Sequence, residues 1–301
     1  MLKNQLFGVE VEFTGITRTE ATEIVAEVLS STASPATGHP YYTRNIKDAK
    51  GRTWKIQRDG SIVGETKSGP ATDKYAVEFI TPPLHYSDIE LLQKIIRSFK
   101  KAGAITNSSC GIHIHVDGSN HTPSSLKKMV DFMISRQDLI YEALEINSRS
   151  VKWCQKLNSK ILHELKNSEN LTINTIEKIW YSPANDNYSD GISREHYNST
   201  RYHGINLHAF FTKGTIEFRL FNSTLDADKV KAYIQFCLAV SAWAITSNEK
   251  ILFRSMEGYT PKQKVTIMRN ILTKRLGLYG NEFRICRLHL MTPLKKTASM
   301  A

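Results

Sequence analysis

The segment FGVEVEF, residues 7–13, alternates apolar and acidic side chains and places Glu10 and Glu12 two positions apart. Successive side chains of a β-strand point to opposite faces of a sheet, so residues two positions apart share a face. The segment therefore predicts a strand that presents two carboxylates on one face. A buried carboxylate is costly unless it is paired or bound to a metal ion, so we expect this face to have a chemical role.

Two further segments repeat this spacing. CGIHIHV contains His113 and His115, and GTIEFRLF contains Glu217 and Arg219. We expect the three segments to be neighbouring strands whose polar side chains meet on one face. Carboxylate oxygens with one imidazole suit a hard divalent cation such as Mg²⁺ or Mn²⁺, whereas zinc more often recruits thiolates or several histidines.

Composition predicts a soluble, cytoplasmic protein with one main domain. The chain has 301 residues, 41% of them hydrophobic, which is enough for a large core. No run approaches the roughly 18 uninterrupted apolar residues of a membrane-spanning helix. The N-terminus lacks the pattern of a signal peptide, and the four cysteines are far apart in sequence. We therefore expect no membrane partner.

The net charge of +11 is concentrated near the C-terminus. Residues 250–301 contain 11 of the 40 Lys and Arg residues but only two of the 29 acidic residues. Such a patch could contact nucleic acid, an acidic peptide or nucleotide phosphates. The simpler interpretation, which we favour, is a solvated helix over residues 262–275 followed by a frayed tail. The sequence thus divides into a main domain, residues 1–249, and a basic helical extension, residues 250–301.

Hydrophobic periodicity and turn residues predict an α+β fold with a mostly antiparallel sheet. Predicted strands lie near residues 6–14, 54–57, 62–63, 75–81 and 112–116, and a hairpin joins residues 204–211 to 215–221. Predicted helices lie near residues 19–30, 87–101, 122–147, 156–166, 173–181 and 226–246. Residues 147–200 form a polar, partly helical insert. The sequence contains no P-loop, GxGxxG, GxSxG or HExxH motif, which disfavours the common nucleotide-binding and hydrolase folds.

An ordered set of motifs resembles the putative amidoligase family, in the superfamily of glutamine synthetase and glutamate–cysteine ligase. The set is FGVEVEF, then Trp54 with DGS (residues 59–61), VEFITPPL, NSSCGIHIHVD, and RYHGINLHAFFTKGTIEFRLFNSTLD. The resemblance implies a glutamine-synthetase-like catalytic domain, a curved, mostly antiparallel sheet with helices packed on its outer face. It also implies ATP-dependent joining of a carboxylate to an amine through an acyl phosphate.

The resemblance implies metal-binding roles for the acids and one histidine. Glu10, His113 and Glu217 match the ligands of the metal that bridges the transferring phosphoryl group. Glu12 and Glu78 match those of a second metal near the acceptor, with Glu65 as an alternative.

Chemistry suggests roles for the other polar residues. Arg219, and secondarily Arg201, is a candidate to meet a phosphate or carboxylate with its bidentate guanidinium. His115 could contact ATP, orient a ligand or simply hydrogen-bond in the core. The resemblance implies substrate binding by the turn residues Asp59 and Ser61, although a DGS sequence is also a good β-turn, and Arg149 is a candidate contact for a substrate carboxylate.

We therefore predict an ATP- and Mg²⁺- or Mn²⁺-dependent ligase that acts on small-molecule or peptide carboxylates and amines. Two alternatives stay open: a metal-dependent phosphoester hydrolase acting on nucleic acid, and a non-catalytic nucleotide- or peptide-binding module. Asn222 and Ser223 follow the late strand where the larger enzymes have an acid and a proline, so ammonia is a doubtful amine. The sequence predicts no oligomeric state.

Overall fold

A computed structural model describes residues 1–146, 149–182, 191–249 and 256–300 of a mixed α/β protein. The chain divides into two compact units. The first unit comprises Leu6–Ile114 and Phe221–Ile234, and the second comprises Met1–Gln5, His115–Leu220 and Gln235–Ala301. Among the described residues, no helix is long and apolar enough to cross a membrane.

The first unit contains the acidic strand and most of the other predicted strands. They are β1 (Phe7–Phe13), β2 (Arg44–Lys47), β3 (Thr53–Gln57), β4 (Glu65–Thr66), β5 (Gly69–Pro70), β6 (Val77–Ile80) and the opening residues of β7 (Gly111–Asp117). Within this unit the main strands follow the order β2-β3-β6-β1-β7, and β4 and β5 pair separately. The pairings of β2 with β3, β3 with β6 and β6 with β1 are antiparallel, as predicted.

The first unit also contains the helices α1 (Arg18–Val28) and α2 (Ile89–Lys101), and its second segment ends in the first turns of a later helix. A capping box at Thr17 and Glu20 starts α1. The apolar spacing of α2 buries one face, and its Phe99 ring lies 4.7 Å from the ring of Phe13 and 5.2 Å from that of Phe79. This aromatic group holds α2 against β1 and β6, the two strands that carry Glu10, Glu12 and Glu78.

The second unit contains the closing residues of β7, followed in sheet order by β9 (Thr215–Asn222) and β8 (Ile205–Asn206). Its helices are α3 (Pro123–Ala143), α4 (Arg149–Lys152), α5 (Lys160–Asn167), α6 (Ile173–Trp180), α7 (His208–Lys213), the later turns of α8 (Ala227–Thr246), α9 (Pro261–Asn270) and α10 (Arg284–Met300). A π-helical turn, Ile271–Arg275, continues α9. The predicted start of α3 is confirmed, with Thr122 as its N-cap and Pro123 in its first turn.

The predicted hairpin of residues 204–211 with 215–221 is wrong in its first arm. Only Ile205 and Asn206 form a strand there, and the following residues form α7. Gly214, at φ +74°, ends that helix in the left-handed conformation and leads directly into β9. The Lys213-Gly214 pair therefore marks the end of a helix, where the sequence indicated a hairpin turn.

Two smaller predictions are also wrong. Residues 62–63 are not a strand, because the Val63 N–H donates to the Ser109 hydroxyl and its carbonyl accepts from the Asn107 amide, leaving no ladder. The expected frayed tail is instead α10, which buries Cys286, Leu290, Met291 and Leu294.

Parts of two predicted segments lie outside the described residues. The polar insert over 147–200 includes residues 147–148 and 183–190, and the junction of the C-terminal extension includes residues 250–255. The division at residues 249 and 250 stays a prediction.

All four cysteines lie within the described residues, and all are buried: Cys110, Cys154, Cys237 and Cys286. Burial raises the pKa of the Cys154 and Cys237 thiols, and raises that of Cys286 to about 12. These side chains therefore serve as small packing groups.

Candidate active site

A polar row crosses three antiparallel strands of the first unit. Gln57 on β3 lies opposite Glu78 on β6, and Glu78 lies opposite Glu12 on β1. Side chains at directly opposed positions share a face of the sheet. The Gln57 amide donates to Glu78 Oε2 over 2.7 Å, and Glu12 and Glu78 are only 2% and 6% exposed. The row places two buried carboxylates side by side.

His113 on β7 connects the acids of β1. Its Nδ1 lies 2.9 Å from Glu10 Oε2, and its Nε2 lies 3.7 Å from Glu12 Oε1. The Gly111 N–H donates to Glu12 Oε2 over 2.6 Å. Because residues 10 and 12 share a face, one imidazole reaches both carboxylates. The spacing of the first two motifs thus produces the shared polar face that the sequence suggested.

Asp59 completes what we call the carboxylate–imidazole cluster: Glu10, Glu12, Asp59, Glu78 and His113. Ligand atoms of Glu10, Glu78 and His113 lie within 4.8 Å of one another, as do those of Glu12, Asp59 and Glu78. Glu78 belongs to both sets. The donors are carboxylate oxygens and one imidazole, which fits Mg²⁺ or Mn²⁺.

The electrostatics of the cluster favour a cation. Burial raises the pKa of Glu78 well above its ordinary value, and the neighbouring charges of Glu10, Glu12 and Asp59 raise it further. Closely spaced carboxylates disfavour one another's ionised forms, and a bound cation reverses that effect. The cluster is therefore a candidate divalent-metal site.

The other acids and turn residues predicted in this unit lie around the cluster. Glu65 is in neither ligand set, and its carboxylate accepts from the Asn107 amide over 2.9 Å. Of the two alternatives left open by the sequence, the geometry therefore favours Glu78. The turn is also present: Asp59 Oδ1 accepts from the Ser61 N–H over 2.6 Å. Ser61 is half-buried and follows Asp59 by two residues.

A second polar group lies in the second unit and centres on Glu217. The pairing of β8 with β9 places Asn206 opposite Glu217, and the Asn206 amide donates to Glu217 Oε2 over 2.6 Å. Arg219 Nη1 donates to Glu217 Oε1 over 2.5 Å. His115 Nε2 lies 3.7 Å from the same oxygen, while its Nδ1 contacts the Thr215 hydroxyl at 2.9 Å. Glu217 and Arg219 are 3% and 5% exposed, so this ion pair is buried.

The remaining predicted arginines have defined positions in the second unit. Arg201 donates to the His196 carbonyl over 2.6 Å, and its guanidinium lies 5.8 Å from the Tyr197 ring and 5.6 Å from the Tyr202 ring. Arg149, in α4, is 4% exposed. Its charge acts to lower the pKa of the Cys154 thiol, so the guanidinium lies near that side chain.

A pocket of about 250 Å³ in the second unit has Glu217 and Asn206 in its wall and basic side chains around them. The cations are Arg194, Arg201 and Lys213, and we call this cavity the basic pocket. Arg194 also pairs with Glu177 at 2.8 Å. Arg201 and Lys213 still outnumber the single carboxylate that lines the pocket, so the pocket suits an anionic group.

Several of these residues were missed from the sequence: Arg194, Asn206, His208 and Lys213. His208 also lines the basic pocket, and its Nδ1 contacts the Tyr181 hydroxyl at 2.7 Å. Burial, helped by the charge of Arg201, lowers the pKa of His208 to about 4, which leaves its imidazole neutral at pH 7. The pairing of Asn206 with Glu217 was not predicted, because residues 204–211 were all assigned to one strand, whereas only Ile205 and Asn206 form it. The repeated polar residues in RYHGINLH were the available signal.

A family model described as putative amidoligase enzyme matches residues 3–241, most of the chain. The chain therefore belongs to that family, and membership indicates a ligase-type activity. No curated protein matches the chain.

Proposed function

We propose that this member of the amidoligase family is an ATP-dependent carboxylate–amine ligase with a glutamine-synthetase-like catalytic fold. Family membership supports the ligase class. The single observation that most strongly supports metal-assisted phosphoryl chemistry is the carboxylate–imidazole cluster, with two sets of ligand atoms that meet at Glu78.

The donor chemistry of the cluster fits a hard divalent cation. Glu10, Glu78 and His113 would hold one Mg²⁺ or Mn²⁺, and Glu12 and Asp59 would bind a second together with Glu78. Such ions would neutralise charge on phosphoryl oxygens during transfer. From the family resemblance, we also propose Glu217 as a metal ligand.

The proposed reaction has two steps. A carboxylate oxygen of the acid substrate attacks the γ-phosphorus of ATP, the bond to the bridging oxygen breaks, and ADP leaves. The nitrogen of the amine substrate then attacks the acyl carbon, phosphate leaves with the bonding electrons, and the nitrogen loses one proton. The products are an amide, ADP and phosphate.

The groups around Glu217 would position the anionic substrates. We propose that the Arg219 guanidinium, which binds Glu217, also binds a phosphate or carboxylate oxygen of the substrates, and that Arg201 assists from the wall of the basic pocket. His115 would orient Glu217 or contact ATP, because its contact with the Thr215 hydroxyl fixes the direction of its ring. Ser61 and Arg149 remain proposed substrate contacts.

The decisive experiment supplies MgATP with pooled amino acids, peptides and polyamines and follows ADP and phosphate release. We expect ADP release to require both a carboxylate and an amine, and to yield a product lighter by one water than the sum of its components. Phosphoester cleavage that needs metal but no ATP would replace this proposal with a hydrolase. An absence of any MgATP-induced rise in melting temperature would replace it with a non-catalytic module.

A further inference from the structure

The C-terminal helices contain a groove that lies outside the part of the chain matched by the family model. Its volume is about 310 Å³, and it is lined by one face of α10, by Arg269 of α9 and by Thr273 of the π-helical turn. We call it the C-terminal groove. Its four cations are Arg269 on α9 and Arg284, Arg287 and Lys295 on α10, and none of its lining residues is acidic.

The α10 side of the groove is a single helical stripe. Residues 284, 287, 288, 291 and 295 line it at spacings of three and four, so their side chains share one face of the helix. Lys295 lies eleven positions after Arg284, which places the two cations about 16 Å apart along the helix axis. A row of cations of this length can contact several phosphates of one strand, whereas a single small anion would occupy only part of it.

One cation of the stripe is held in place by the loop before α10. Arg287 Nη1 donates to the Leu278 carbonyl over 2.8 Å, which leaves its other N–H groups for a ligand. The next residue, Tyr279, has a side chain that is 70% exposed. Tyr279 does not line the groove itself, but it follows the residue that binds Arg287, and its exposed ring provides a surface on which a base can stack.

The groove also has an apolar floor. Met291 is 5% exposed and Leu288 is 48% exposed, and both lie between the cations of the stripe. The two acids among residues 256–300, Glu257 and Glu282, do not line the groove. Within the described residues no ion pair is formed by Arg269, Arg284, Arg287 or Lys295. These charges are therefore available to an anionic ligand.

We propose that the C-terminal groove binds single-stranded nucleic acid. The cations of α9 and α10 contact the phosphates, while Tyr279 and the apolar floor contact the bases. Charge alone would equally suit an acidic peptide. The exposed ring of Tyr279, on the segment that binds Arg287, favours nucleic acid, because base stacking tolerates any sequence and needs only an accessible aromatic face.

The test uses the full chain and a fluorescein-labelled oligo(dT) of about a dozen nucleotides, a length within the usual range of such sites. Fluorescence anisotropy is measured across a series of KCl concentrations. We expect binding that weakens with salt, with a log–log slope of about −0.7 for each phosphate contacted. An absence of binding at low salt would overturn the proposal.

A charge-reversal pair and a matched control locate the site. Arg284→Glu with Lys295→Glu should weaken binding by about tenfold or more and flatten the salt slope. Lys262→Glu with Lys274→Glu makes the same change in net charge at exposed positions that do not line the groove, so it should retain most of the affinity. Equal losses of affinity in the two variants would show a general charge effect and overturn the assignment of binding to the groove.

Two further measurements separate the possible ligands. Tyr279→Leu should weaken oligo(dT) binding by about fivefold or more, the usual value of one stacked base, without changing the salt slope. Unchanged affinity would overturn the stacking contact. A labelled polyglutamate peptide that binds as tightly as oligo(dT), and loses affinity in the charge-reversal pair, would identify an acidic-peptide site instead. If the double variant does not fold, Lys295→Glu alone, at an exposed position late in α10, serves the same comparison.

Discussion

Glu12 and Glu78 lie directly opposite each other on antiparallel strands, and both side chains are buried. Like charges at opposed positions of a sheet destabilise it, and burial adds a desolvation cost to each carboxylate. The effect appears in the raised pKa of Glu78. The proposed cation site would account for this pair, because a bound cation offsets the repulsion between the two carboxylates.

Glu78→Gln should therefore have opposite effects on stability and on metal binding. In EDTA we expect the variant to melt at a higher temperature than the natural protein, by the equivalent of about 1 kcal/mol, because one of two opposed carboxylates becomes neutral. The stabilisation that Mn²⁺ gives the natural protein should disappear. Thermal unfolding in EDTA and in a Mn²⁺ series measures both effects.

Glu90→Gln is the matched control for that experiment. This substitution also removes one negative charge, but at an exposed position in the first turn of α2. Its variant should retain the Mn²⁺-induced rise in melting temperature. If Glu78→Gln retained that rise as well, Glu78 would be removed from the metal site.

Arg219→Lys should reduce turnover by about 100-fold. A lysine ammonium cannot donate to Glu217 and to a substrate anion with the planar fork of a guanidinium, and losing one positioned donor in an active site typically costs that much. Steady-state ADP release per folded molecule is the measurement. A lower melting temperature with unchanged turnover would assign Arg219 a structural role only.

Arg44→Lys is the matched control for Arg219→Lys. The Arg44 guanidinium lies at the surface of the first unit, where it donates to the Thr19 hydroxyl over 3.4 Å. We expect its replacement to leave turnover within about twofold, since surface contacts of this kind contribute little.

His121 should make the protein less stable in acid. Its Nδ1 contacts the Ser125 hydroxyl at 3.0 Å and its Nε2 contacts the Ser241 hydroxyl at 2.9 Å. Burial lowers its pKa from 6.5 to about 4. Between these values the unfolded chain binds a proton that the folded protein does not, so the free energy of unfolding decreases as pH falls from about 6.5 to 4.

His121→Gln should remove this contribution, because glutamine does not titrate in that range. Denaturant unfolding of both proteins at several pH values gives the difference in free energy of unfolding. We expect the advantage of the natural protein over the variant to shrink as pH falls through that window. A constant difference would contradict the assignment.

Gly204→Ala should destabilise the second unit. A Cβ at residue 204 would lie 2.2 Å from the Tyr141 hydroxyl and 3.3 Å from Leu220 Cβ. The hydroxyl cannot easily move away, since it donates to the Cys154 carbonyl over 2.7 Å in the buried interior. Crowding of this kind costs about 1 to 3 kcal/mol.

A double-mutant cycle tests the cause of that loss. Tyr141→Phe deletes the hydroxyl that the new methyl group would meet. We expect Gly204→Ala to cost less in the Tyr141→Phe background than in the natural protein, as measured by urea unfolding. Equal costs in both backgrounds would show that the strain comes from elsewhere.

Local patterns were sufficient to predict many of the elements. β1 and α2 follow from their apolar periods, and α3 also has a recognisable N-cap. The segment before Gly214 was misassigned because Phe210 and Phe211 favour a strand, and Lys-Gly resembles a hairpin turn as closely as a helix end. α10 was missed because Pro293 lies inside it and its exposed face is strongly basic.

The grouping of site residues could be predicted from the sequence only for residues two positions apart on the same strand. Residues two apart share a face in any strand, so the grouping of Glu10 with Glu12 needed no tertiary information. The approach of Asp59 to Glu78, and of Asn206 to Glu217, depends on loop positions and strand register. Those are set by packing between distant segments, which a single sequence does not reveal.

The burial of Cys110, Cys154, Cys237 and Cys286 has a practical consequence for spectroscopy. A maleimide dye reacts with an accessible thiolate, and burial denies it access to all four thiols and also raises the pKa of Cys154, Cys237 and Cys286. A cysteine introduced at an exposed position such as Lys274 should accept one fluorophore or spin label while the native thiols stay unmodified. Site-specific labelling of the folded chain can then proceed without first replacing the four native cysteines.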